Sequence, residues 1–137
     1  MRNASSTLTI DASAMIALLV DGGPAGSWAL EQCRRSRLIA PTLLQFEVAN
    51  VLRRHLRAGL LSPERAQAAH RAVVDLRVEY WPYAHLAERV WQLSGQLTSY
   101  DASYCALAEL TNSTLLTLDE KLARTTGPTC EFRVFTV

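Results

Sequence analysis

Short apolar runs alternate with longer helical patterns from one end of this chain to the other, and that alternation restricts the fold more than any single residue does. Thr7–Asp11 (TLTID), Arg37–Pro41 (RLIAP), VEYWPY around Tyr80, Thr114–Leu118 (TLLTL) and the final FRVFTV read as strands. Between the first two, AMIALLV reads as a helix broken by Gly22-Gly23-Pro24, and a second helix runs from near Ala25 through WALEQC. A long helix from about Thr42 to Ala58 is stopped by Gly59, the usual glycine after a helix C-terminus. Ser62 caps and Pro63 opens the next helix, which continues through ERAQAAHRAVVDL. HLAERVWQLSGQL is expected to be helical, with Leu86, Val90, Trp91 and Leu93 near helical spacing. Ser99–Glu109 and a short DEKLAR complete the set. Strands separated by helices require right-handed crossovers and a parallel sheet covered on both faces. The expected class is therefore α/β, a three-layer α/β/α sandwich with a mostly parallel central sheet. A chain of 137 residues without repeat, linker or low-complexity tract is expected to form one domain over residues 1–137.

Composition narrows the function. With 49% hydrophobic and 20% charged residues, the chain is globular rather than disordered. The net charge of +1 selects no partner, but Lys121 is the single lysine among fourteen basic residues. Arg34, Arg35 and Arg37 form one arginine cluster, and Arg53, Arg54 and Arg57 another. Arginine's planar fork suits phosphate, so the clusters admit a nucleic-acid partner, although solvated helix faces are the simpler account of clusters this small. Cys33, Cys105 and Cys130 lie far apart, and His55, His70 and His85 show no ligand spacing, which excludes a thiolate zinc site and a disulfide framework. No run approaches the roughly 20 apolar residues of a membrane span. The chain is expected to be cytoplasmic, without membrane association and with its thiols reduced.

In parallel sheets ligands bind beyond the carboxyl ends of the strands, where strand order reverses. Asp11 closes the first strand and Asp119 the fourth, and each also suits a helix N-cap. Asp101 stands in the first turn of an otherwise apolar helix, where a negative charge meets the helix dipole favourably. Glu47 sits inside LLQFEVANVL, apolar but for Gln45 and Asn50. Each acid has an ordinary explanation alone, yet all four can converge on one sheet edge. Carboxylates forced together raise one another's pKa unless something neutralises them. A hard divalent cation does so, and Mg²⁺ takes oxygen ligands while keeping several waters. Such waters can attack a phosphodiester while the ion offsets the charge that builds up.

TIDASA, FEVANVLRR, YDASYCALAE and LLTLDEKLA, in that order, resemble the motifs of PIN-domain ribonucleases, and above all the VapC-type toxins of bacterial toxin–antitoxin pairs. The resemblance covers nearly the whole chain from about Thr9, and the third and fourth motifs are the specific ones. It implies a PIN-like fold with an acidic catalytic site of Asp11, Glu47, Asp101 and Asp119. By the same resemblance Asp11 and Asp101 are Mg²⁺ ligands, and Glu47 and Asp119 complete the site directly or through water; Mn²⁺ can substitute. Ser13 and Thr117 match hydroxyl positions that hold the acids by hydrogen bonds. Asn50 matches a polar position one turn from Glu47. All three also have ordinary readings as caps or local side-chain-to-backbone donors. The implied activity is Mg-dependent hydrolysis of RNA by a toxin endoribonuclease. Implied partners are a VapB-like antitoxin and a second copy of the chain. Met15, Ile16, Leu18, Leu19 and Trp28 are a candidate apolar patch for such partners.

Rival chemistries fail at particular positions. A phosphoacceptor receiver domain needs an acidic pair near the first strand and a late lysine elsewhere than Lys121. A dehalogenase-like phosphatase needs an aspartate where Ser13 stands. A PIN-like module that binds RNA or protein without cleaving is the remaining alternative.

Overall fold

A computed structural model describes residues 6–137. Its five strands form one parallel sheet in the order β3-β2-β1-β4-β5, where β1 is Ser6–Ile10, β2 Ser36–Pro41, β3 Glu79–Trp81, β4 Thr114–Thr117 and β5 Phe132–Val134. Leu8 stands opposite Leu38 on one side and Thr114 on the other. The central strand ends in three fully buried residues, Leu8, Thr9 and Ile10, as expected of a strand covered on both faces. The chain builds outward from β1 to β2 and β3, then returns to place β4 on β1's other side. The order therefore reverses between β1 and β4, the point at which parallel sheets place their ligand crevice.

Between β1 and β2 lie α1 (Ala12–Val20) and α2 (Pro24–Cys33), and between β2 and β3 lie α3 (Leu43–Arg57) and α4 (Pro63–Asp75). Then come α5 (Ala87–Gln92), α6 (Ser99–Thr111) and, after β4, α7 (Glu120–Arg124). Helix α6 packs across β1, β2 and β4 with α5 behind it, while α1 packs on β4, α2, α3 and α4. Every residue from Ala102 to Ala108 is buried, so the predominantly apolar α6 is the inner helix layer. Thr98 caps its first turn by accepting from the Asp101 amide, and Asn112 closes it in the left-handed conformation. Gly59 takes φ 76° after α3, as its position predicts. Among the described residues, no helix is long and apolar enough to cross a membrane.

The expected elements are present, with three differences. The helix expected across HLAERVWQLSGQL is a 3₁₀ turn at Tyr83–His85 followed by the six-residue α5. Leu86, Val90 and Leu93 are buried at i, i+4 and i+7, whereas Trp91 points outward with 77% of its surface exposed. The residue beside Val90 lies about 100° around the helix, off the buried stripe. The first strand ends at Ile10, and Asp11 is already the N-cap of α1. Of the candidate patch on the first two helices, Met15 is fully buried and Trp28 packs on Phe135 at 5.5 Å between ring centres.

Gly26 marks the tightest helix approach. A Cβ there would lie 1.8 Å from the Asp21 carbonyl oxygen and 3.0 Å from that of Ala17, both backbone atoms. Gly26→Ala must therefore push α2 away from the end of α1. We expect a loss of about 3 kcal/mol or more in chemical denaturation. An unchanged midpoint would show that the two helices separate freely.

Candidate active site

The crevice between β1 and β4 is built from the residues that follow each strand. Asp11 continues the ladder by donating its amide to the Leu116 carbonyl (3.2 Å), and its own carbonyl accepts from Met15 to begin α1. As N-cap, its side chain accepts from the Ala14 amide at 3.0 Å through Oδ1. The same oxygen accepts from Ser13 Oγ at 2.7 Å, and Oδ2 accepts from Thr117 Oγ1 at the end of β4. Ser13 Oγ in turn accepts from the Leu118 amide (2.9 Å), and Thr117 Oγ1 from the Asp119 amide (3.0 Å). Two hydroxyls thus tie the ends of the two strands together through one carboxylate. Capping and site-building are one arrangement here, not alternatives.

Asp11 is only 6% exposed. Burial pushes its carboxyl up to about 6; the bonds from Thr117, Ala14 and Ser13 work against that rise, and the nearby Asp101 charge adds to it. Asp101, half-buried at the start of α6, is raised by burial and then by the charge of Asp119. Glu47, one turn into α3, is raised by burial, lowered by a hydrogen bond from Tyr104 and raised again by Asp101. Tyr104 Oη donates to Glu47 Oε1 at 2.6 Å. Asp119 caps α7 by accepting from the Lys121 and Leu122 amides. Asp101 is therefore the centre of the group, coupled to Asp11, to Glu47 and to Asp119.

The fold brings Asp11, Ser13 and Thr117 into direct contact and sets Glu47, Asp101 and Asp119 around them. Asn50 is exposed on α3 and has no side-chain hydrogen bond among the described residues; it lines an open groove with Glu47, apart from the Asp11 network. Tyr104 is a site residue that motif reading passed over. Its signal was present in the sequence: it stands three residues after Asp101, on the same helix face, and a half-buried glutamate needs a donor. The donor set is all oxygen, which fits a hard divalent cation rather than a thiophilic one. Among the described residues, no three His, Cys, Asp or Glu side chains are close enough to enclose an ion by themselves. An ion held here must keep water in its shell, as Mg²⁺ does.

A parallel three-layer α/β/α domain with an acidic centre at its topological switch point is the class that fold and site define. The sequence profile of the PIN domain matches residues 8–128. The chain belongs to the PIN-domain family. It is 35% identical over 127 residues to the VapC ribonuclease Mb0985 of Mycobacterium bovis, covering 93% of this chain and 97% of that one. Among solved structures it resembles PAE2754 from Pyrobaculum aerophilum, with a TM-score of 0.68 at 24% identity, over 93% of this chain and 83% of that one. It also resembles VapBC2 from Rickettsia felis bound to a DNA fragment from their promoter, with a TM-score of 0.65 at 13% identity, over 93% of this chain and 98% of that one. These structures carry the likeness of fold. VapC nucleases with a PIN domain are generally metal-dependent.

Proposed function

We propose that this chain is a Mg²⁺-dependent endoribonuclease of the VapC toxin type, a single PIN domain over residues 1–137 that acts in the cytoplasm. The observation that carries the reading is the buried Asp11 carboxylate, gripped by Ser13 and Thr117 where β1 and β4 end, at the sheet's switch point. Asp11 and Asp101 would hold the ion, with Glu47 and Asp119 completing the site directly or through water, and Mn²⁺ could take its place. A bound divalent cation supplies water acidic enough to attack a phosphodiester at neutral pH and offsets the charge that develops there. The chain's own residues do the positioning. Ser13 and Thr117 fix both oxygens of Asp11, and Tyr104 fixes Glu47. Rigid acids need no reorganisation as charge builds.

The likeness of fold to the VapBC2 pair supports a VapB-like antitoxin as a partner, and the proposed working form is a homodimer. An apolar groove beside Ser13, lined by Ile16, Val20, Leu60 and Leu61, would accept the apolar face of a partner helix. An arginine extended from such a helix would reach the acids and compete with the metal.

The protein, freed of any partner, is expected to cut total cellular RNA into discrete fragments with Mg²⁺ or Mn²⁺ and to leave it intact with EDTA. Cleavage that persists in the chelator would falsify the metal-dependent mechanism. Binding of RNA without cleavage in either metal would make the chain a binding module instead.

A further inference from the structure

Helix α3 presents a stripe that neither the core nor the acidic centre uses. Phe46, Asn50, Arg53 and Arg57 stand at i, i+4, i+7 and i+11, on one face, and all are exposed. Phe46 leaves 78% of its surface in solvent. Across from it Tyr100, the residue before Asp101, is 60% exposed. Phe46, Tyr100, Asn50 and Arg53 line one open groove of about 520 Å³, and Glu47 of the acidic centre lines it too. Among the described residues, neither Arg53 nor Arg57 takes part in an ion pair.

Two flat rings at the acidic end and two unpaired guanidiniums further along form a directional surface. We propose that this groove seats the unpaired RNA strand leading to the scissile phosphate, with bases stacked on Phe46 and Tyr100 and backbone phosphates paired with Arg53 and Arg57. The proposal rests on the ribonuclease reading above and adds the residues outside the acidic centre that seat the strand, Phe46, Tyr100, Arg53 and Arg57. Aromatic rings stack on the face of any base, whereas a duplex keeps its base faces stacked inside. Arginine forks match phosphate oxygens, and an apolar protein helix laid here would leave both cations unpaired. The seven helical steps from Phe46 to Arg53 span about 10 Å, the length of roughly three stacked nucleotides. Bases placed by stacking make the groove tolerant of sequence.

The test measures binding of a fluorescein-labelled twelve-residue oligouridylate in EDTA, and steady-state cleavage of an unstructured RNA in Mg²⁺. Phe46→Leu and Tyr100→Ala are each expected to weaken binding by about tenfold, Phe46→Leu keeping apolar bulk but no ring. Arg53→Ala with Arg57→Ala should lower the salt dependence of binding by about 0.7 in slope for each phosphate left without its arginine. In cleavage all of these should raise KM and leave kcat within about twofold, since the groove binds ground and transition states alike. Arg34→Ala with Arg35→Ala, in an exposed pair before β2, should change nothing. The groove assignment is overturned if the wild type cleaves RNA and the groove variants keep its KM and affinity. It is equally overturned if the Arg34 and Arg35 changes cost as much, which would mean diffuse charge, or if Phe46→Leu and Tyr100→Ala alter the oligomeric state while RNA affinity stays. A wild type that neither binds nor cleaves RNA would show instead that the ribonuclease reading has failed.

Discussion

Asp101→Asn is expected to lower metal-dependent RNA cleavage by about two to four orders of magnitude while leaving the metal-free protein as stable as the wild type or slightly more so. The loss follows from the proposed ligand role: metal stabilisation of the transition state is worth several kcal/mol, at about 1.4 kcal/mol per tenfold. The retained stability follows from position. Asp101 is half-buried and disfavoured as an anion by burial and by Asp119, and its charge in turn raises Asp11 and Glu47. Removing that charge relieves three unfavourable interactions and gives up one favourable one with the α6 dipole, worth about 0.3–1 kcal/mol. The α6 cap is untouched, because Thr98 accepts from the backbone amide of residue 101, not from its side chain. Cleavage kinetics and a thermal melt in EDTA check both halves. A large fall in Tm for this isosteric change would make Asp101 a structural residue and explain lost activity without any metal.

The metal-free protein should lose stability as pH rises from about 4 to 7, and a divalent cation should restore it at the upper end. Asp11 has its carboxyl raised from 3.8 to about 6 by burial. The fold thus prefers the protonated form more than the unfolded chain does. That contribution is complete below about pH 3.8 and is lost as pH climbs through 6. The gap between the two values corresponds to about 3 kcal/mol, several degrees in Tm for a chain of this length. Ion binding at pH 7.5 neutralises the same charge and should raise the melting temperature. The Arg89–Glu109 pair does not confuse the window: Glu109 is held below its ordinary value, so what it contributes is lost only at lower pH. Asp11→Asn should lessen the pH dependence, leaving the part due to Asp101 and Glu47, because Asn keeps an acceptor for Ser13 and Ala14 without a charge to bury. A wild type whose Tm is level over this range, or a variant with the wild-type slope, would mean that another group titrates.

Much of this molecule is legible in one dimension because its signals are local. Alternating strand and helix patterns dictate a parallel sheet, since a strand followed by a helix must cross over to reach its neighbour. Ser62-Pro63, Gly59 and Thr98 set helix ends through bonds within one turn. Asp11, Asp101 and Asp119 stand out because each sits where the chain leaves a strand or enters a helix, and parallel sheets place those points on one edge; Glu47, one turn into α3, stands out only as an acid in an apolar stretch.

What only the tertiary structure decided depends on groups far apart in sequence. That Asp11 is gripped by Thr117, 106 residues away, follows from β4 pairing beside β1, and no spacing rule announces it. Tyr104 reaches Glu47 across 57 residues. Arg89 bonds both Glu109 oxygens, and Glu109 accepts from the Thr129 amide, pinning the approach to β5 against α6, in the stretch after Leu122 where motif likeness ends. Trp91 points outward and Met15 inward although both are large apolar side chains on helices, because helix rotation is set by what each helix packs against. Sequence thus determined which residues lie near the switch point, as local capping and crossover geometry require. The degree of burial, and with it the raised carboxyl of Asp11, was set by packing, because desolvation is a property of everything that surrounds a charge in space.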